Sequence, residues 1–314
     1  MCGGKRHRAS LFHPEAGPRA FPTAPRVGEP PTDGSPATGS GGTALAAPAP
    51  DRGPGETPFA VARRRSQPAS APGVTIRIGT SGWSYAAWKG RFYPADLPTT
   101  RMLAFYAGRF GAVEVNNTFY RMPRAATLAT WREEVPPAFV FALKGPQRVT
   151  HFQRLAGVEE PVGYFYRTAA ELGPSLGPIL WQLPPTLKKD VPRLRDFLAL
   201  LPRGGRAALE FRHPSWLEDD SLALLADHGV ALCVAEDEEH AIPLVATAPF
   251  GYLRLRRPDY DAPALLAWAE RVAAQPWEDA FVFFKHEDEA RGPAFALAFA
   301  ELAGVPAGAG APGP

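Results

Sequence analysis

Short runs rich in β-branched and aromatic residues alternate, from Val74 onward, with longer Ala/Leu/Arg stretches whose apolar residues recur at helical spacing. Eight runs read as strands: 76–81, 112–117, 140–145, 178–183, 207–212, 231–236, 251–256 and 280–285. Helices are predicted over 99–109, 124–134, 164–172, 190–201, 219–228, 261–274 and 292–303. Thr99-Thr100 and Asp219-Asp220 suit helix N-caps, and Asp261 followed by Pro263 suits another. The stretch from Asp237 to Pro249 predicts a loop in place of a full helix. Repeated strand–helix alternation predicts a parallel sheet, and eight units close most simply into a single (β/α)8 TIM-like barrel. An open doubly wound sheet is the alternative. Its dinucleotide-binding form is disfavoured, because Gly79-Thr80-Ser81-Gly82 after the first strand does not match Gly-x-Gly-x-x-Gly.

A closed parallel barrel calls for strands that are apolar on both faces. Here the C-terminal ends turn polar instead: Ile78-Gly79-Thr80-Ser81, Val113-Glu114-Val115-Asn116, Ala142-Leu143-Lys144, Trp181-Gln182, Leu209-Glu210-Phe211-Arg212-His213, Leu253-Arg254-Leu255-Arg256 and Phe284-Lys285. Residues two apart share a face. Glu114 with Asn116, Glu210 with Arg212, and Arg254 with Arg256 therefore point together, and their apolar neighbours pack outward. Glu114, Asn116, Lys144, Gln182, Glu210, Arg212, Arg254 and Lys285 are expected around the axis, at the face where this fold builds its active sites. For any single residue, pairing within a neutralised ion network is an equal explanation. For the ring as a whole the functional reading is preferred, because hydrophobic replacement of such networks often costs no stability.

Aromatic-rich loops flank the ring. Trp83, Tyr85, Trp88, Phe92 and Tyr93 follow the first strand, and Phe119, Tyr120 and Arg121 follow the second. Most of these rings are expected to fasten loops to helices; Trp83 and Tyr120, nearest the strand ends, are the candidates for stacking on a ligand. Cys233, inside an apolar run, reads as a small core residue, and a disulfide with Cys2 is not expected.

Composition adds domain limits. Residues 1–72 are dominated by Pro, Gly, Ala, Ser and Thr and are expected to form a disordered N-terminal tail, with Pro306 to Pro314 a flexible C-terminal one and 74–305 the barrel. The tail holds nine Lys/Arg against five Asp/Glu; since the whole chain is +2, residues 73–314 carry −2. A global nucleic-acid-binding charge is thus missing from the barrel, although a local patch would suffice. No apolar run reaches membrane-spanning length and Met1 to Ala20 has no signal-peptide core, so a cytoplasmic protein without a membrane partner is expected.

Several blocks taken together are distinctive: Gly79-Thr80-Ser81-Gly82-Trp83-Ser84-Tyr85 with Trp88 and Phe92-Tyr93-Pro94; Glu114-Val115-Asn116-Asn117-Thr118-Phe119-Tyr120-Arg121; Phe141-Ala142-Leu143-Lys144 with Thr150-His151; Gln182-Leu183-Pro184-Pro185; and Glu210-Phe211-Arg212-His213-Pro214-Ser215-Trp216. The chain from about Ile76 to the last helix closely resembles the YecE-like family, domain-of-unknown-function family 72. That resemblance implies a TIM-like barrel and supplies no reaction. Two departures stand out: Arg254-Leu255-Arg256-Arg257 occupies a place where many relatives have His-Gly after the Arg-Leu, and the segment between His151 and Leu172 is short, which leaves the third helix in question.

Three chemistries suit these residues. The first is an enzyme of acid–base type on an anionic or polyhydroxylated small molecule, with Glu114, Lys144 and Glu210 as the catalytic candidates. Thr80, Trp83, Asn116, Tyr120, Arg121, His151, Gln182, Arg212, His213, Arg254 and Lys285 would bind the substrate. No cofactor is required, and a two-carboxylate glycosidase is one form it could take. The second is a metal-dependent hydrolase or phosphoesterase using a divalent ion on His151, His213, His286, Glu114, Glu210 or Asp237. The third is a non-catalytic barrel that binds a ligand or, less favoured, a nucleic acid through rim aromatics and arginines.

Overall fold

The computed structural model describes residues 73–236, 242–285 and 288–306. The expected N-terminal tail, residues 307–314 of the C-terminal one, and Asp237, His286 and Glu287 lie outside them. Eight parallel strands form the sheet: β1 (Thr75–Thr80), β2 (Ala112–Val115), β3 (Val140–Lys144), β4 (Leu176–Gln182), β5 (Ala207–Glu210), β6 (Ala231–Glu236), β7 (Phe250–Leu255) and β8 (Asp279–Phe284). Their order is β1-β8-β7-β6-β5-β4-β3-β2, and the two end strands meet at the parallel bridge Ser81–Glu114 to make a nearly closed barrel. Among the described residues seven α-helices cover it: α1 (Met102–Ala107), α2 (Ala125–Glu133), α3 (Glu159–Ala169), α4 (Val191–Ala199), α5 (Asp219–Asp227), α6 (Ala262–Ala273) and α7 (Arg291–Leu302). The described part of the connection after β6, residues 242–249, contains no helix, as the sequence predicts. No helix among the described residues is long and apolar enough to cross a membrane.

Strand parity divides the core in two. Outward residues such as Val113, Phe141, Leu143, Leu209, Leu253 and Val282 pack with helix residues including Tyr106, Leu128, Phe165, Phe197, Leu265 and Phe299. Inward residues form a separate cluster, with alanines on β2, β3, β5 and β6 and the aromatic rings of Phe250, Tyr252, Phe281 and Phe283 on β7 and β8. Large rings from one side of the barrel thereby fill space that small residues leave on the other. Cys233 is a free, buried thiol in this inner cluster.

Helix ends differ from expectation in places. Asp261 caps α6 as predicted, its carboxylate accepting from the Ala264 nitrogen at 2.9 Å. Thr99-Thr100 instead belongs to a 3-10 turn that runs into α1 without a side-chain cap. The third helix, expected over 164–172, spans Glu159–Ala169. Its first turn takes the acidic Glu159 and Glu160, which complement the helix dipole. Gly173, at φ 52°, and Pro174 follow in a short 3-10 segment that a longer α-helix could not accommodate.

Candidate functional site

Parity carries the polar residues at the strand ends to the axis. Arg254 (β7) lies at the centre, with each terminal nitrogen on a different carboxylate: Nη1 donates to Oε2 of Glu210 (β5) at 2.6 Å and Nη2 to Oε1 of Glu114 (β2) at 2.9 Å. All three side chains are buried. Glu114 also accepts from Ser81 Oγ at 2.7 Å, Tyr252 Oη at 2.8 Å and Asn116 Nδ2 at 3.2 Å. Glu210 accepts from Gln182 Nε2 at 2.8 Å, with Arg212 Nε at 3.4 Å and Arg256 Nη1 at 3.8 Å. Gln182 turns its carbonyl oxygen to Lys144, whose Nζ donates at 2.9 Å and lies 4.2 Å from the centre of the Phe119 ring. The edges of Tyr120 and His151 meet that same ring.

This packing sets the protonation states. Burial pushes the Glu114 carboxyl up, but the Arg254 guanidinium and the hydrogen bonds from Arg254, Ser81 and Tyr252 outweigh it and hold the group below its ordinary value. Glu210 is held down likewise, burial being outweighed by Arg254, Arg212 and Arg256. Lys144 is pushed down to about 8, first by burial and then by Arg254 and Arg212, against the opposing pull of Glu114 and Glu210. His151 is lowered by burial, with Lys144 and Arg212 acting in the same direction. A glycosidase built on two carboxylates needs one that is protonated; here the surroundings hold both toward the ionised form.

Of the sequence candidates, Glu114, Asn116, Lys144, Gln182, Glu210, Arg212 and Arg254 converge, and His151 borders them. Thr80 does not join them. Its hydroxyl bonds Gly82 O and Tyr106 Oη on the helix side, while the next residue, Ser81, reaches Glu114. Trp83 packs edge-on against Trp131 and the outward-facing Phe141. It lines a groove of about 690 Å³ beside the barrel, together with Tyr85, Thr99, Asn116 and Trp131. His213 closes a turn, its Nδ1 accepting from the Ser215 nitrogen at 3.2 Å. Tyr120, Arg121 and Lys285 are exposed at the ends of their strands. Ser81, Phe119, Tyr252 and Arg256 were not among the candidates. Tyr252 and Arg256 share the parity of Arg254, whereas Ser81, beside a glycine, and an aromatic such as Phe119 after a strand carry no such signal.

Both oxygens of each carboxylate are already engaged by donors, and among the described residues no three His, Cys, Asp or Glu side chains gather as a metal-binding group. Of the six ligands named for the second chemistry, Glu114 and Glu210 are thus occupied, and Asp237 and His286 lie outside the described residues.

Fold and site together define a class, a parallel (β/α)8 barrel whose C-terminal mouth holds two carboxylates divided by one arginine. Within it, the chain belongs to the family described as "Protein of unknown function DUF72", which matches residues 77–313. The UPF0759 protein YunF of Bacillus subtilis is 28% identical over 192 residues, 55% of this chain and 66% of that protein, so the chain spans just under two thirds of this relative. A solved DUF72 family structure from Thermotoga maritima is 26% identical with a TM-score of 0.65, covering 73% of this chain and 98% of that one. Another from Enterococcus faecalis, 20% identical with a TM-score of 0.61, covers 74% of this chain and 96% of that one and shares the fold.

Proposed function

We propose that the barrel mouth binds a small anionic molecule, sugar-like or carboxylic, and that Lys144 exchanges a proton with it. One observation carries this reading: among the described residues the guanidiniums of Arg254 and Arg212 and the amine of Lys144 gather at two carboxylates, Glu114 and Glu210, so positive groups outnumber negative ones in a largely buried setting. A phosphate or carboxylate entering there would offset that excess, and low dielectric would strengthen the attraction. Arg212 and Arg256, the less buried of the arginines, would meet its oxygens. An amine near 8 has both protonation states populated at neutral pH, as acid–base catalysis requires. The reading calls for no cofactor.

Thermal denaturation with inorganic phosphate, acetate and a sugar phosphate tests it. Phosphate is expected to raise the melting temperature by mass action, less so at high salt, and to lose its effect in Arg212→Ala. Absence of a shift with all three anions would overturn the reading. A nucleic acid is a second reading, favoured by the exposed rings of Tyr120 (72%) and Phe152 (70%) in the loops after β2 and β3. Salt-dependent retention on a single-stranded oligonucleotide, lost in Tyr120→Ala, would support it.

A further inference from the structure

Lys144 is a buried lysine whose nearest partners are neutral groups. Its Nζ bonds a neutral amide oxygen, Gln182 Oε1, and packs on the face of Phe119. Among the described residues no carboxylate forms an ion pair with it, although Glu114 and Glu210 belong to the same cluster. Both are taken by Arg254, and Glu210 also by Arg212 and Arg256. The charged and titratable groups facing Lys144 are Glu114 from β2, His151 after β3, Glu210 and Arg212 from β5 and its end, and Arg254 from β7. Burial among guanidiniums favours the neutral amine, whose lone pair is then free to attack an electrophile.

We propose that Lys144 forms an imine with the carbonyl carbon of a small anionic aldehyde or ketone bound at the barrel mouth. This rests on the anion-binding reading for the placement of the substrate, whose charged group Arg212 and Arg256 would hold. The ammonium first releases one proton. The nitrogen lone pair then attacks the carbonyl carbon as the C=O π pair moves onto oxygen, giving a carbinolamine. The oxygen departs as water with the two hydrogens that nitrogen has lost, and the C=N bond forms. The protonated imine keeps the single positive charge of the ammonium, so the step needs no co-reactant and creates no new charge in a buried site. Such an iminium draws electrons from the adjacent carbon, which places the reaction among aldol-type cleavages, decarboxylations or isomerisations of oxo acids and phosphorylated carbonyl compounds.

The test uses the full chain with glyoxylate, a minimal anionic aldehyde, and sodium cyanoborohydride, whose hydride reduces the iminium to a stable carboxymethyl-lysine. Peptide mass mapping at about pH 7.5 then compares Lys144 with Lys5, Lys89, Lys188, Lys189 and Lys285. A lysine near 8 carries on the order of a hundredfold more neutral amine there than an ordinary one. Allowing for slower access, Lys144 is expected to label at least about tenfold faster than any other lysine, and phosphate is expected to slow Lys144 alone. Labelling of Lys144 no faster than the rest, with phosphate still raising the melting temperature, overturns the imine and leaves the anion site standing. Fast labelling that phosphate neither slows nor accompanies with stabilisation supports the amine chemistry and removes the anion reading. Lys144→Ala, checked for folding by circular dichroism, is expected to show only the background of the other five.

Discussion

Tyr106 places its hydroxyl 2.7 Å from the backbone nitrogen of Thr80, in the seam where the sheet closes. The same hydroxyl donates to the Ala112 carbonyl at 3.1 Å, so a side chain of α1 bridges β1 and β2 where their own pairing is a single bridge. Gly79 makes the approach possible, since a Cβ there would lie 1.9 Å from the Ala112 oxygen. Tyr106→Phe leaves a buried N–H and a buried carbonyl without this partner and is expected to cost about 1–3 kcal/mol in urea unfolding. Gly79→Ala is expected to cost more, because backbone must move. An unchanged urea midpoint in Tyr106→Phe would show the hydroxyl to be dispensable to closure.

Arg254→Met removes the shared partner of two buried carboxylates, and a loss of about 3–5 kcal/mol is expected at neutral pH. The pH dependence carries the sign. In the wild type both carboxyls titrate below their unfolded values, so their contribution is full above the unfolded value and is lost as pH falls through the folded one. Without Arg254, burial dominates and raises both, so the variant takes up protons readily. The melting-temperature gap between wild type and variant is therefore expected to narrow between about pH 7 and about pH 5. A gap of constant width would show that the carboxyls remain ionised without the arginine.

Lys144→Met tests the buried amine through stability alone. The folded value near 8 lies below the ordinary 10.5, so between the two the unfolded chain binds more protons and wild-type stability rises with pH. Below 8 the penalty is present in full. The methionine variant is expected to be more stable at about pH 7, by at most ~3 kcal/mol and less for the hydrogen bond Gln182 forfeits. That advantage should shrink as pH rises toward 10.5. Equal unfolding free energies at both ends of the range would argue for an ordinary lysine.

His213 caps a 3-10 turn by accepting from the Ser215 nitrogen. His213→Asn, which can accept in the same way, is expected to fold with nearly wild-type stability, and His213→Ala to lose about 1 kcal/mol. Neither is expected to weaken phosphate stabilisation. A selective loss of phosphate response in the asparagine variant would return His213 to the site.

Glu114, Glu210, Arg254, Lys144 and Gln182 were legible because a charge or amide interrupting an apolar strand has few ways to be satisfied except at a shared centre. Thr80 was misplaced by one residue. The glycine before it removes the side chain that would have marked which face is inward, and the structure gives that face to Ser81. Tyr252 resembled core because a buried phenol differs from phenylalanine by one atom, and only its partner, Glu114, reveals the hydroxyl's task. The eight strands were legible from alternation alone. The start of α3 was not, since Pro161 near the helix start conceals a helical period.

The three strands joined by Arg254 have no ladder in common: β2, β5 and β7 are never neighbours in the sheet. The arginine thus works as a hub with two spokes, bracing the cross-section of the ring from within, while the loops that would meet a ligand hang from the rim. Change at the rim can alter which molecule is admitted without loosening the wheel. Change at the hub alters the wheel first, so substitutions at the centre are expected to cost more stability than substitutions in the loops.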